Sequence, residues 1–144
     1  MEDCKACNEG IESVLKQQED AMKKHGWYAH YIIDEKEHPK FGITFANFHT
    51  HGVQESFGHP DFQIVIPLPL ATAHAIITKL VDHVKNGGKF PDGEVVYEIV
   101  KNYPVKMFAV SESGRNVLRI ILPDDDGKVE NKVMSKPFKY QYDI

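Results

Sequence analysis

The sequence predicts an α+β fold: a single domain over residues 1–144, built on a mainly antiparallel sheet of five to six strands with two amphipathic helices packed on one face. Three observations carry this prediction. Two segments place apolar residues at helical spacing, several short runs between them are rich in aromatic and β-branched residues, and two of those runs are joined by a connection of hairpin length. Hydrophobic residues make up 42% and charged residues 26%, a globular balance that argues against disorder over most of the length. At 144 residues the chain is long enough to bury one core without staples.

Taken in order, Ile11, Val14, Leu15, Ala21 and Met22 fall on one side of a helix from about residue 9 to 24, with Glu12, Lys16, Gln17, Glu19, Asp20 and Lys23 on the other. His25-Gly26 ends it, because glycine tolerates the left-handed conformation that closes helices. Trp27 to Ile33 reads as a strand, and Asp34 to Lys40 as a polar turn around Pro39. A second strand is expected from Phe41 to about His49, then a polar, glycine-containing loop from Thr50 to Pro60 and a third strand from Phe62 to Ile66. Pro67 and Pro69 stop that strand, and Leu70, Ala73, Ile76, Ile77, Leu80, Val81 and Val84 mark the second helix, closed by Gly87-Gly88. Val95 to Val100 fits either a strand or a short helix. Val105 to Val110 and Asn116 to Leu122, joined through Gly114, pair as an antiparallel hairpin. After the acidic turn Asp124 to Gly127, the tail either packs through Phe138, Tyr140 and Tyr142 or stays loose.

Composition also excludes function classes. The net charge is −4 with scattered basic residues, so a nucleic-acid backbone is a poor partner. The start Met1-Glu2-Asp3-Cys4-Lys5 lacks the basic and apolar regions of a signal peptide, and no apolar run reaches membrane-spanning length, so a cytoplasmic location and no membrane partner are expected. In that reducing setting Cys4-x-x-Cys7 reads as metal ligands, redox thiols or plain thiols.

The chemistry-bearing cluster is His49-Thr50-His51 with His59-Pro60-Asp61. In extended backbone, residues two apart point to one face and sit roughly 6–7 Å apart, close enough for two imidazoles to share a divalent ion. Three of the eight histidines fall within the eleven residues from His49 to His59. The expected set is three histidines and the Asp61 carboxylate, suiting zinc, or iron or manganese where water fills further positions, or else a small-molecule ligand. Glu55 on the same loop is the candidate general base of a metal-dependent hydrolase. The alternatives are solvated loop histidines with His59-Pro60-Asp61 as a turn, or a non-enzymatic module whose Thr50–Pro60 loop and aromatic tail contact a regulatory or toxin-neutralising partner.

The other motifs carry less. Cys4 and Cys7 are half of a zinc site that His25 and His30 could formally complete, although a helix fills the seventeen residues between Cys7 and His25. Trp27 reads as a core anchor, His74 as a buried or boundary histidine of the second helix, and Asp124 to Asp126 as a solvated turn without the spaced ligands of a calcium loop. No nucleophile elbow, phosphate loop or dinucleotide fingerprint occurs.

The order of several short motifs is familiar: the Cys4-x-x-Cys7 start, a helix ending in His25-Gly26-Trp27, the segment Thr44 to Gly52, Phe57-Gly58-His59-Pro60-Asp61, Tyr103-Pro104-Val105 and Pro123-Asp124-Asp125-Asp126-Gly127. Together they resemble the bacterial family of unknown function numbered 4262, over nearly the whole chain. The resemblance implies no established activity. Where many such sequences carry a Thr-(Ile/Val)-Gly-Leu-like stretch, this one reads His49-Thr50-His51-Gly52-Val53, which assigns the histidine pair to a subgroup of that family.

Overall fold

The structure, a computed structural model, describes residues 5–112 and 114–144, with side chains from Leu15 onward. Cys4 lies outside the described residues, and of Cys7 only the backbone is described. Helix α1 spans Lys5–His25 and stops where the Gly26 N–H bonds the Met22 carbonyl, with Gly26 at a φ of +82°. Strand β1 (Tyr28–Ile33) follows, then β2 (Ala46–His51), the short helix α2 (Val53–Phe57), β3 (Asp61–Ile64) and helix α3 (Leu70–Lys85). Strands β4 (Val95–Val100), β5 (Tyr103–Glu112) and β6 (Arg115–Ile121) complete a six-stranded sheet ordered β1-β2-β3-β6-β5-β4, and a 3₁₀ turn (Phe138–Tyr142) comes last. Every neighbouring pair is antiparallel except β3 and β6.

The α+β class, the mainly antiparallel sheet and its two long helices are therefore as expected. Val95–Val100 resolves as a strand, because it finds a ladder partner in β5, with a bulge between Val96 and Val100 at the sheet edge. The β5–β6 hairpin forms with Lys106 opposite Ile121 and Glu112 opposite Arg115. The second strand departs from expectation. Phe41 to Phe45 do not join the sheet: the Gly42 N–H bonds back to the His38 carbonyl, and Phe41 stacks on Tyr140 at 4.4 Å between ring centres. Pairing instead runs on to His51, so both histidines lie inside the ladder.

Alternation along the strands sorts the sheet into two faces. In β2, Ala46, Phe48 and Thr50 are buried while Asn47, His49 and His51 face the other way. Phe48, Phe62, Ile64, Met107 and Ile120 join Ile77, Leu80 and Val81 of α3 in the hydrophobic core. Helix α1 meets the sheet at the β1 edge, where Gln18 reaches His30 on the face away from that core, so the two helices do not share one face as expected. The segment expected as an open loop, Thr50 to Pro60, is largely folded in: Thr50 and Val53 are fully buried, and α2 occupies its middle. At Gly52 (φ +99°) a side chain would meet the Gly26 carbonyl and Met22 Sδ at 2.6 Å, so glycine is required where α1 passes.

The tail packs. Tyr142 sits against Phe108, and Gln141 is buried with its side chain bonded to the Leu122 backbone in both directions. Arg119, also buried, donates to the carbonyls of Gln141 and Ile144. Asp124 is no solvated turn residue: its carboxylate accepts from the N–H groups of Asp126, Lys128 and Ser135. His74 is exposed, with Tyr31 Oη 2.5 Å from its Nδ1, because its position on α3 faces the β1 edge rather than the core. Among the described residues no helix is long and apolar enough to cross a membrane.

Candidate metal centre

Register builds the site. Antiparallel pairing sets His30 opposite His49 and Tyr28 opposite His51, so side chains from two adjacent strands converge on the face away from the core. His30, His49 and His51, each half-buried, offer ligand nitrogens that all lie within 4.8 Å of one another. His49 Nε2 and His51 Nε2 are 3.1 Å apart. Tyr28 stacks on His51 at 5.2 Å, walling one side, and Gln18 Nε2 lies 2.9 Å from His30 Nε2.

Neighbours set the protons. His49 Nδ1 lies 3.0 Å from Asn47 Oδ1, an acceptor, so Nδ1 carries the hydrogen and Nε2 keeps its lone pair. On His51, Arg115 Nη1 donates to Nδ1 at 3.1 Å, so the proton sits on Nε2 and points at His49 Nε2. Both rings resist protonation. Burial, followed by the positive charge of Arg115, pushes the His51 pKa down to about 4, and burial lowers that of His49.

A cleft of about 320 Å³ opens beside the pair, lined by Asn47, His49, His51, Gln63, Glu112 and Arg115, with Val117 the one apolar residue among them. Glu112 is held at both oxygens, by Arg119 Nη2 at 3.0 Å and by Gln63 Nε2 at 2.7 Å. Gln63 also donates to Asn47 Oδ1 and accepts from Arg119 Nε, so one hydrogen-bonded frame runs from the buried arginine to the ring of His49.

The four ligands expected from sequence do not converge. His59 is 5% exposed, with Nδ1 on the Pro60 carbonyl at 2.8 Å and Nε2 accepting the Phe90 N–H at 3.1 Å. Both nitrogens are engaged, so the ring clips the α2–β3 connection to the segment after α3. Asp61 is 1% exposed and accepts from Thr50 Oγ1 (2.7 Å), the Val53 N–H (3.1 Å) and Arg115 Nη2 (2.9 Å). Its oxygens are taken by a buried structural network. Glu55 is exposed on α2 and does not line the cleft.

Arg115 and Glu112 are not among the expected residues, and His30, which the sequence offered only as a formal partner of Cys4 and Cys7, stands instead with His49 and His51. The signal for His30 was present: in β1 it shares parity with Tyr28, and a hairpin-like pairing with the next strand sets it against His49 or a neighbour. The family model described as Domain of unknown function (DUF4262) matches residues 21–129. The chain belongs to this family. The DUF4262 match takes in His30, His49, His51, Glu112 and Arg115, while Gln18 and the packed tail from Phe138 lie outside it. No curated protein and no solved structure matches the chain.

Proposed function

We propose that the protein binds a divalent transition-metal ion, zinc foremost, through His30, His49 and His51, and that the adjoining cleft presents small substrates for hydrolysis by metal-activated water. The observation that carries this reading is the convergence of three imidazole nitrogens within 4.8 Å. Nitrogens bound to tetrahedral zinc at ~2.0–2.1 Å stand roughly 3.3–3.5 Å apart. The His49–His51 separation of 3.1 Å is already near that value, and His30 closes the remainder with a small ring movement.

Three neutral imidazoles are the donor set that leaves zinc a fourth position for water, whose pKa the ion lowers toward neutrality. The depressed pKa values of His49 and His51 keep protons from competing with the metal at neutral pH. Glu112, on the cleft wall and oriented by Arg119 and Gln63, has a side chain 40% exposed where that of Asp61 is 2%, so it keeps lone pairs for a proton and takes the general-base role expected of Glu55. His49 and His51 keep the role expected of them, with His30 in place of His59 and Asp61.

The test is elemental analysis of protein purified without a histidine tag, before and after dialysis against zinc, for wild type and for His49→Ala and His51→Ala. The reading expects about one zinc per chain in wild type, lost in each variant. A folded wild-type protein that takes up no stoichiometric zinc, cobalt or manganese overturns it.

A further inference from the structure

Arg115 is an unusual neighbour for a cation site, and its anchoring suggests what the site takes besides the metal. One nitrogen, Nη2, is held by Asp61 Oδ2 at 2.9 Å and the Thr50 carbonyl at 3.2 Å, and Asp61 is buried and bonded to two further donors. The guanidinium is therefore fixed. The other nitrogen, Nη1, reaches His51 Nδ1 at 3.1 Å and faces the cleft.

Ligation changes that contact. A neutral His51 that gives its Nε2 lone pair to a metal must carry its proton on Nδ1, where Arg115 Nη1 now donates. Two donors then face each other and Nη1 loses its acceptor, while Asp61 and Thr50 still hold the group beside the ion. An unmatched charged donor in a partly desolvated cleft is costly unless an acceptor arrives with the ion.

Charge defines that acceptor further. Arg115 is paired with Asp61 and Arg119 with Glu112, so the fixed charges around the cleft cancel. A divalent ion on neutral imidazoles adds two positive charges that, among the described side chains lining the cleft, none is left to offset. The cleft, about 320 Å³ and lined by polar or charged residues apart from Val117, lies at the small end of the ~300–1,000 Å³ typical of small-molecule sites.

Resting on the metal reading above, we propose that the loaded site recognises a small phosphate dianion, the phosphate group of a low-molecular-weight monoester, with one oxygen on the ion and another accepting from Arg115 Nη1. A phosphate matches the two uncompensated charges, and its several oxygens serve ion and guanidinium at once. A carboxylate carries half that charge and binds more weakly.

The experiment uses cobalt(II)-loaded protein, desalted to remove free ion, with the visible d–d band as readout. First, cobalt uptake is measured alone. Inorganic phosphate is then titrated into loaded and metal-free wild type, loaded Arg115→Met and loaded Arg115→Lys, with acetate as the second anion. The lysine keeps a cation against Asp61 and lacks the second nitrogen, so it retains the buried pair if the methionine variant fails to fold. Expected are a saturable band shift with phosphate in loaded wild type, no phosphate binding without metal by calorimetry, acetate at least tenfold weaker, and phosphate affinity at least tenfold lower in either variant with cobalt retained. Cobalt uptake without a phosphate response, equal affinity for acetate, or unchanged phosphate affinity in the folded variants overturns the proposal and leaves the metal site standing. Failure to take up cobalt overturns the metal reading and this one with it.

Discussion

Replacing Asp61 separates a structural carboxylate from a metal ligand, because the two roles predict opposite results. In Asp61→Ala the Thr50 hydroxyl and the Val53 N–H, both buried, lose their acceptor, and Arg115 loses its buried counter-charge. Each buried polar group left unpaired costs about 1–3 kcal/mol. Breaking a buried ion pair from one side costs ~3–5 kcal/mol. The Arg115 side chain is 36% exposed and recovers part of its hydration, so its share falls to ~1–2 kcal/mol and, with the two unpaired donors, the total is roughly 3–8 kcal/mol. Asp61→Asn keeps an oxygen for Thr50 and Val53 but turns an amide toward Arg115, for a loss of about 1–2 kcal/mol. Urea denaturation reads this as a lower midpoint at unchanged slope, and metal analysis of the same samples reads the site. Folded Asp61→Asn should be less stable and still hold one zinc. Wild-type stability with abolished zinc binding would refute it and return Asp61 to the ligand set.

His59→Ala removes the acceptor of the buried Phe90 N–H and a ring packed on Phe62, so a loss of about 2–3 kcal/mol with zinc uptake unchanged is expected in urea titrations with metal analysis. Leu80→Ala empties a fully buried position under the sheet and should cost ~2–5 kcal/mol by the same assay. Acid lowers stability through His49 and His51. The unfolded chain takes up their protons as pH falls below about 6.5, whereas folded His51 resists until about 4, so the unfolded state binds more protons across that window and stability falls as pH falls. Both rings are half exposed, and screening holds the loss to about 1–2 kcal/mol. Metal-free protein should therefore show a lower urea midpoint at pH 5 than at pH 7.5, and a His49→Gln/His51→Gln variant a smaller change; equal sensitivity in the two proteins would contradict this.

What could be read from sequence followed the range of the interactions. Helix α3 was legible because Ala73, Ile76, Ile77, Leu80, Val81 and Val84 obey one periodicity and all reach the core. The β5–β6 hairpin was legible because its pairing is local. The start of β2 was misplaced because Phe41 and Phe45 alternate like strand residues, yet a tail aromatic a hundred residues away, Tyr140, draws Phe41 off the sheet. At the site, parity alone identified His49 and His51 as neighbours. For His30, parity with Tyr28 gave the face, but its exact partner depended on the register of β1 against β2 across the twelve residues 34–45, which the irregular turn through Gly42 does not fix locally. Arg115 and Glu112 depended on β3 lying parallel to β6, a contact between segments more than fifty residues apart. His59 and Asp61 carry the right atoms for ligation, but short-range bonds to Pro60, Thr50 and Val53 occupy those atoms first.

X-ray absorption at the zinc edge of the loaded wild-type protein counts the atoms around the ion and so decides whether the three imidazoles hold it. Three imidazole nitrogens at ~2.0–2.1 Å and one further light atom are expected. Sulfur at ~2.3 Å would transfer the site to Cys4 and Cys7, and a shell of oxygens without imidazole scattering would remove the histidine centre altogether.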